Sequence, residues 1–265
     1  MKDKRDNTMA KMEAEPEPEA GREADKSCCC IVIPAYEPPG SFVPYVKELL
    51  SCQEEPVLVV DDGSGETFAP VFRALEKLPG CRVLTHERNR GKGAALKTAI
   101  AWYNGHWGKE MSCNGIAACK GIVTADCDGQ HSLEDVLRIC RELTARPDTL
   151  ILGCRRFDRE NTPRRSVLGN RLISFGMRVF GRVRLEDTQT GLRGLPAAML
   201  RELETLRGDR YEYELNMLLL AGKRGIPIHT IPIQTLYYNG NEASHYRTLT
   251  DSARILGQLI RGLTW

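Results

Sequence analysis

The sequence predicts an α/β fold in which a mixed, mainly parallel sheet is flanked by helices. From Cys28 onward, short runs of β-branched and other apolar residues alternate with amphipathic segments, a pattern typical of parallel strands joined by helices on both faces of a sheet. The chain has 265 residues and 42% of its side chains are hydrophobic, which suffices to bury one large core. We therefore expect one domain at residues 28–265, preceded by an N-terminal tail.

In the first part of this domain, the pattern of apolar residues predicts buried strands that alternate strictly with helices. Ser132 and Asp135 resemble a capping box at the start of the last of these helices. Because ligands of open α/β sheets bind at the carboxyl ends of the strands, the residues that follow each strand are the candidates for a site. The predicted strands are residues 29–33, 57–60, 82–85, 121–124 and 149–152, and the predicted helices are residues 42–51, 67–78, 92–102 and 133–145.

The alternation changes after Gly153, where a basic loop begins. Apolar positions at helical spacing predict three more helices, and a final amphipathic pattern predicts a C-terminal helix. The sequence assigns no role to residues 104–119, which resemble an irregular insertion. The predicted elements are helices at residues 167–180, 196–206 and 210–221, a strand at 226–233, and the C-terminal helix at about 249–263.

Composition excludes several classes of protein. A formal net charge of +2 gives no reason to expect a nucleic acid partner. The ten cysteines lack paired spacing, and those at residues 28–30 are adjacent, so a reduced, cytoplasmic protein fits better than a disulfide framework. Residues 1–27 are charged and contain no sustained apolar run, which predicts a disordered tail rather than a signal peptide. No stretch of about 20 apolar residues predicts a membrane-spanning helix.

The clearest site pattern follows the fourth predicted strand and runs from Asp126 to His131. It places the carboxylates of Asp126 and Asp128 two residues apart on a tight turn. Hard cations such as Mg²⁺ or Mn²⁺ prefer several oxygen ligands, which two carboxylates and a diphosphate would supply together. Zinc fits less well, because Cys127 would have to turn opposite to its neighbours and no second Cys/His pair stands at ligand spacing. Capping of the next helix by the aspartates is the structural alternative.

Other segments reach the same predicted edge of the sheet. Tyr36 follows the first strand, where it could stack on a flat ring, and Asp62 follows the second. Lys92 lies in the glycine-containing segment 89–93, whose backbone N–H groups could face an anion. That segment has neither the P-loop order nor the dinucleotide fingerprint. Each of these segments could equally be an ordinary turn or helix start.

Arginines cluster directly after the fifth predicted strand. Guanidinium groups match phosphate oxygens in pairs, so the cluster suggests a second phosphate site, although solvated surface charge gives the same pattern. The polar segment 187–194 lies between apolar runs and is expected to brace a site. The polar residues of 211–214 and 239–247 belong either to a site or to the surface. The clustered arginines are Arg155, Arg156, Arg159, Arg164 and Arg165.

Taken together and in this order, the site segments resemble family 2 glycosyltransferases, and within them the dolichyl- or polyprenyl-phosphate sugar synthases, of the dolichol-phosphate mannose or glucose synthase kind. The resemblance covers about residues 29–260, and motifs in register are far more specific than any one alone. It implies a GT-A (Rossmann-like) fold in a single catalytic domain. The segments that carry it are residues 33–36, 60–64, 89–93, 126–131 and 187–191.

The resemblance also implies roles for individual residues. The family usually has Asn-Glu after the tyrosine, and here Glu37 and Pro38 stand there, so Glu37 is the residue available to substitute. The implied donor nucleotide ligands are Pro34, Ala35, Tyr36, Glu37, Asp62, Lys92 and Asp126. The implied metal ligands are Asp126, Asp128 and Gln130. The implied ligands of the acceptor phosphate are Arg155 and Arg165, and these two residues and Asp128 are the implied catalytic residues. The residues implied to brace the site or to contact the donor sugar are Asp187, Gln189 and Arg247.

These roles predict metal-dependent, inverting transfer of a hexose, mannose or glucose, from GDP-mannose or UDP-glucose to a polyprenyl (dolichyl) phosphate. The second pKa of a phosphate monoester is about 6, so the acceptor is already anionic at pH 7 and needs no general base. One rival is transfer to a sugar hydroxyl, with a base such as Asp187, and the other is a non-catalytic nucleotide-sugar-binding protein.

We expect contact with a membrane surface to be peripheral, through the amphipathic C-terminal helix. An ordinary helix packed on the core would show the same pattern. The run 244–247 resembles bacterial members that often continue into a small membrane domain, so a separate membrane-domain partner is also conceivable.

Overall fold

The computed structural model describes residues 29–52, 56–106, 119–155 and 190–234. The predicted N-terminal tail and the helices predicted at 167–180 and 249–263 lie outside these ranges, as does most of the predicted insertion at 104–119. The first residues of that insertion continue a helix, which ends at Gly105.

In the described part of the chain, seven strands form one sheet in the order β3-β2-β1-β4-β6-β5-β7. β6 runs antiparallel to β4 and β5, and the other pairs are parallel. The sheet is therefore mixed and mainly parallel, as the sequence predicts. The strands are β1 (Cys29–Ala35), β2 (Val57–Asp61), β3 (Cys81–Thr85), β4 (Gly121–Thr124), β5 (Leu150–Arg155), β6 (Arg193–Pro196) and β7 (Ile228–Ile233).

Helices cover both faces of the sheet. Alternate residues of β1 point to opposite faces, so Val32 packs with α3, α5 and α6, whereas Ile33 packs with α1, α2 and α4. This alternation follows from the two-residue period of a strand. The described helices are α1 (Phe42–Ser51), α2 (Ala69–Glu76), α3 (Lys92–Gly105), α4 (Leu133–Ala145), α5 (Ala197–Thr205) and α6 (Glu212–Arg224).

The helix starts follow the local sequence. Ser132 is the N-cap of α4, where its hydroxyl oxygen accepts the Asp135 backbone N–H at 3.1 Å. The Asp135 side chain accepts the Ser132 hydroxyl at 2.8 Å and the backbone N–H of Gln234 at 3.0 Å. The predicted cap is thus confirmed, and it also ties α4 to the end of β7.

Strand β6 is absent from the sequence prediction, which assigned its first two residues to a polar brace. It has four residues and none is β-branched, so the usual strand signal is missing. Gly194 allows close packing, since an added Cβ would lie 3.2 Å from the Ile151 Cβ. The strand separates β4 from β5, and this placement depends on neighbours distant in sequence.

The carboxyl ends of β1, β2 and β4 meet at one edge of the sheet, because these three strands are adjacent and parallel. β5 lies on the far side of β6 and runs in the same direction as β4, since both are antiparallel to β6. The residues that follow these strands are therefore collected on one side. Within the described ranges, no helix has both the length and the apolar character that crossing a bilayer requires.

Candidate active site

Asp126 lies directly behind the end of β4, between two cationic or potentially cationic side chains. Its Oδ1 is 2.6 Å from the Lys92 Nζ, and its Oδ2 is 3.2 Å from the His131 Nε2. Burial alone would raise the pKa of Asp126, but the Lys92 ammonium and the hydrogen bond from His131 outweigh it and hold that pKa well below its usual range. Asp126 is therefore ionised at neutral pH.

Lys92 begins α3 and lies between two carboxylates. Besides Asp126, its Nζ is 3.0 Å from the Glu214 Oε1, on α6. Burial would lower the pKa of Lys92, but the charges of Asp126 and Glu214 raise it above its ordinary value. The predicted anion-binding lysine is thus an internal counter-cation in this structure, and its contact with a donor nucleotide stays a prediction.

Asp128 shows the opposite electrostatic effect. Burial and then the charge of Asp126 raise the pKa of Asp128, although the Gln130 backbone N–H donates to its Oδ1 at 3.0 Å. Gly129, with φ of +76°, supplies the left-handed turn between them. Two carboxylates that repel each other at a sheet edge form a favourable place for a cation.

The donor set fits part of a hard-cation site. Asp126 and Asp128 offer carboxylate oxygens, which suit Mg²⁺ or Mn²⁺. Within the described ranges, no three His, Cys, Asp or Glu side chains are grouped closely enough to hold a metal ion alone, so the two carboxylates need further ligands, for which Gln130, a diphosphate and water remain the candidates. Burial raises the pKa of Cys127 to about 12, so its thiol is protonated at neutral pH.

Asp62 ties the end of β2 to the loop that precedes α3. Its Oδ1 accepts the Arg90 backbone N–H at 2.9 Å, and its Oδ2 accepts that of Gly91 at 2.7 Å. The His86 Nδ1 is 2.7 Å from Oδ1, and the His86 Nε2 is 2.9 Å from the Thr98 hydroxyl. Asp62 is buried and shapes the predicted anion loop, while its contact with a nucleotide stays a prediction.

The Asp62→Asn substitution is expected to lower the free energy of unfolding by roughly 1–3 kcal/mol, because an amide NH₂ would then face a backbone N–H donor in a buried place. Urea unfolding monitored by circular dichroism measures this change. Asp148→Asn, on an exposed carboxylate, is the matched control and should leave stability unchanged. Equal stability of the two variants would contradict this role of Asp62.

The residues after β1 form the neighbouring wall. Glu37 has a left-handed backbone, with φ of 49°, and its backbone N–H donates to the Ser64 hydroxyl at 2.9 Å. A hydrogen bond with Glu37 raises the pKa of the half-buried Tyr36. Pro34 and Ala35 end β1, and Ala35 accepts the Asp62 backbone N–H at 2.8 Å. The predicted nucleotide segments therefore adjoin each other.

Other predicted site residues lie outside what the structure describes. Arg155 ends β5 at the same edge of the sheet, but its side chain is not among the described ones. The residues outside the described ranges are Arg165, Asp187, Gln189 and Arg247. Their roles as acceptor and bracing residues stay predictions.

Buried polar side chains support the site, and Arg193 among them lies in the segment 187–194 that the sequence predicts to brace a site. Arg193, on β6, is fully buried and donates to the Thr190 and Glu214 carbonyl oxygens at 2.8 and 2.5 Å. Tyr45 has a buried hydroxyl with no hydrogen-bond partner within the described ranges, and burial, then the charges of Asp126 and Asp128, raise its pKa.

A signal for Glu214 exists in the sequence. Met217, Leu218 and Ala221 follow it at helical spacing and are buried with it on α6, so the period alone places Glu214 on the inner face.

Comparisons with known proteins agree with this arrangement. The family described as Glycosyl transferase family 2 matches residues 30–205. The UDP-N-acetylglucosamine–dolichyl-phosphate N-acetylglucosaminyltransferase of Methanococcus voltae is 27% identical over 224 residues, which cover 78% of this chain and 85% of that protein. The dolichyl-phosphate beta-glucosyltransferase of Dictyostelium discoideum is 25% identical over 211 residues, which cover 75% of this chain and 60% of that protein.

A solved structure shares the fold. S. aureus TarS 1–349 in complex with UDP-GlcNAc superposes with a TM-score of 0.54 at 13% identity, covering 89% of this chain and 66% of that one. The predicted GT-A fold is confirmed by this likeness, together with the sheet and the family match. The matched family region spans more than half of the chain and includes the ends of β1, β2 and β4. The chain is a glycosyltransferase and belongs to glycosyl transferase family 2.

Proposed function

We propose that this chain transfers a hexose from a nucleoside diphosphate sugar to a polyprenyl phosphate, with a divalent cation and with inversion at the anomeric carbon. The observation that carries the proposal is the pair of carboxylates, Asp126 and Asp128, beside the ends of β1 and β2. Among the described residues, burial and the charge of Asp126 raise the pKa of Asp128, so its ionised form is poorly stabilised there. A cation bound to the diphosphate would offset this cost.

The acceptor is proposed from the relatives. The names of the M. voltae and D. discoideum proteins both specify dolichyl phosphate, but one specifies N-acetylglucosamine and the other glucose. A lipid phosphate is therefore the acceptor class that we propose, and the transferred sugar has to be determined by experiment. Mannose, glucose and N-acetylglucosamine are the donors to compare.

The residues would divide the work as follows. Asp126 and Asp128 would hold Mg²⁺ or Mn²⁺, which supplies neutralisation of the charge that develops on the leaving diphosphate. His131 orients Asp126, and Asp62 fixes the loop at the start of α3. Because the acceptor phosphate is already ionised, positioning and charge neutralisation suffice, and no protein base has to remove a proton.

A two-phase transfer assay tests the function. The full chain is incubated with Mn²⁺, polyprenyl phosphate in detergent, and labelled UDP-glucose, GDP-mannose or UDP-N-acetylglucosamine. We expect label to enter the organic phase with one donor and to stay in water when chelator is in excess. Transfer only to a water-soluble sugar would refute the lipid acceptor. Donor binding without transfer to any acceptor would favour the non-catalytic alternative.

The C-terminal segment gives a separate test of membrane contact. The apolar residues Ile255, Leu256, Leu259, Ile260, Leu263 and Trp265 recur at a spacing that would place them opposite Arg254 and Arg261 on a helix, which is typical of an interfacial helix. The full chain is expected to float with anionic liposomes, and a chain that ends at Arg247 is expected to stay at the bottom of the gradient. Equal flotation of both chains would place the contact elsewhere.

A further inference from the structure

Glu214 is a buried carboxylate that the proposed reaction does not use. It lies on the inner face of α6, with only 6% of its surface exposed. Its Oε1 is 3.0 Å from the Lys92 Nζ, and that ammonium is also 2.6 Å from the Asp126 Oδ1. The Arg193 guanidinium donates to the Glu214 backbone oxygen, so the residue is fixed at its base.

Lys92 has more than one anionic partner. Its ammonium lies between the carboxylates of Asp126 and Glu214, and the charge of Asp126 also acts on the nearby Asp128. Burying a second carboxylate beside a lysine that already has an anionic partner costs free energy. We therefore look for a functional role of the additional charge.

The contact between Glu214 and Lys92 could become shorter. The Glu214 Oε1 lies 3.0 Å from the Lys92 Nζ, which is longer than the 2.6 Å between that ammonium and the Asp126 Oδ1. The ammonium is therefore shared between two carboxylates rather than fully bound by either. If Asp126 released the Lys92 ammonium, Glu214 could hold that ammonium without any movement of α6.

We propose that Lys92 is an exchangeable counter-cation and that Glu214 is the positioning residue that retains it. In the metal-free protein Lys92 neutralises Asp126, and it stays with Glu214 when Asp126 takes a divalent cation. Glu214 thus keeps Asp126 available as a ligand. The proposal rests on the metal dependence within the proposed function, and it concerns cation binding rather than the identity of the sugar or acceptor.

Opposite shifts in Mn²⁺ affinity test the proposal. Glu214→Gln leaves Lys92 to Asp126 alone, so Mn²⁺ binding is expected to weaken roughly tenfold. Lys92→Met removes the competing ammonium and should tighten binding by at least about tenfold, because one fewer positive charge then lies beside the cation. Electron paramagnetic resonance of free Mn²⁺ at pH 8 measures both affinities, without and with UDP or GDP, and needs no acceptor.

The double variant Lys92→Met with Glu214→Gln removes both partners of the pair, which buried sites tolerate better than the loss of one. It keeps the two aspartates and should bind Mn²⁺ at least as tightly as the wild type. Lys97→Met is the control, because Lys97 lies on the same helix and pairs with the exposed Asp209. It should bind Mn²⁺ as the wild type does.

Three outcomes would overturn the exchange. Unchanged affinity in Glu214→Gln would show that Glu214 has no part in cation binding. A double variant as weak as Glu214→Gln would make Glu214 a metal ligand instead. Absence of Mn²⁺ binding by the wild type, with and without nucleotide, would refute the metal dependence as well, whereas failure of sugar transfer alone leaves these affinities interpretable.

Discussion

Replacing Asp128 with Asn is expected to abolish sugar transfer and, in the absence of metal, to raise the Tm. The substitution removes one of the two carboxylates proposed for the cation, and loss of such a charge-stabilising group costs at least about 10²–10³ in rate. It also removes a half-buried carboxylate whose pKa is raised by partial burial and by the charge of Asp126. The Gln130 backbone N–H can still donate to the Asn side-chain oxygen, so the turn is kept.

Two measurements on the same protein check this prediction. Transfer is followed in the two-phase assay, and the Tm is followed by differential scanning calorimetry in chelator. Asp148→Asn, on an exposed carboxylate of the α4–β5 connection, should match the wild type in both. Wild-type turnover by Asp128→Asn, or full activity of the wild type in chelator, would refute the proposed metal mechanism.

The pH dependence of the Tm difference has a defined sign. The folded state disfavours the ionised form of Asp128, so the wild type loses stability above the folded pKa of Asp128 and regains it below. The advantage of Asp128→Asn should therefore shrink as the pH falls. Asp126 has the opposite sign, because its folded pKa is depressed. Its contribution is present above the ordinary Asp pKa of about 3.9 and is lost on further acidification.

Much of the fold could be predicted because its signals are local. The strands β1, β2 and β4 are apolar runs that end in turn residues, and each run lies within a single window of sequence. Asp126 and Asp128 could be assigned to a site for the same reason, since their position after a strand is visible in the sequence. Helix α2 begins two residues later than predicted, because residues Glu66–Phe68 form a 3-10 turn first.

The unpredicted features depend on partners far away in sequence. β6 is recognisable only when its neighbours β4 and β5 are in place, since Arg193 and Gly194 carry no strand preference. Lys92 reads as a phosphate-binding lysine in isolation, and only the packing of α6 against α3 brings Glu214 to its Nζ. His86 is likewise undistinguished until the fold places it between Asp62 and Thr98.

The same dependence on distant contacts makes Gly191 a sensitive position. A Cβ added to Gly191 would lie 2.2 Å from the Asp126 Oδ2, which is far inside van der Waals contact. Neither side can move freely, since Thr124 donates a 2.7 Å hydrogen bond to the Gly191 carbonyl and Asp126 is paired with Lys92 and His131. Gly191→Ala is expected to displace Asp126, to reduce transfer by about 10²-fold, and to destabilise the protein by about 1–3 kcal/mol.

Transfer rates and urea unfolding measure the two effects of Gly191→Ala. Gly40→Ala is the matched control, because no atom lies within 4 Å of the Cβ it would carry, and both properties should stay at the wild-type level. An active Gly191→Ala protein would mean that the position of Asp126 is not critical. Asp128→Asn should be inactive and, in chelator, more stable than the wild type, whereas Gly191→Ala should be about 10²-fold less active and less stable. If the site depends on both its charge and its geometry, the two variants should both lose activity while their stabilities change in opposite directions. If the aspartates were a surface cluster without function, neither variant should lose activity.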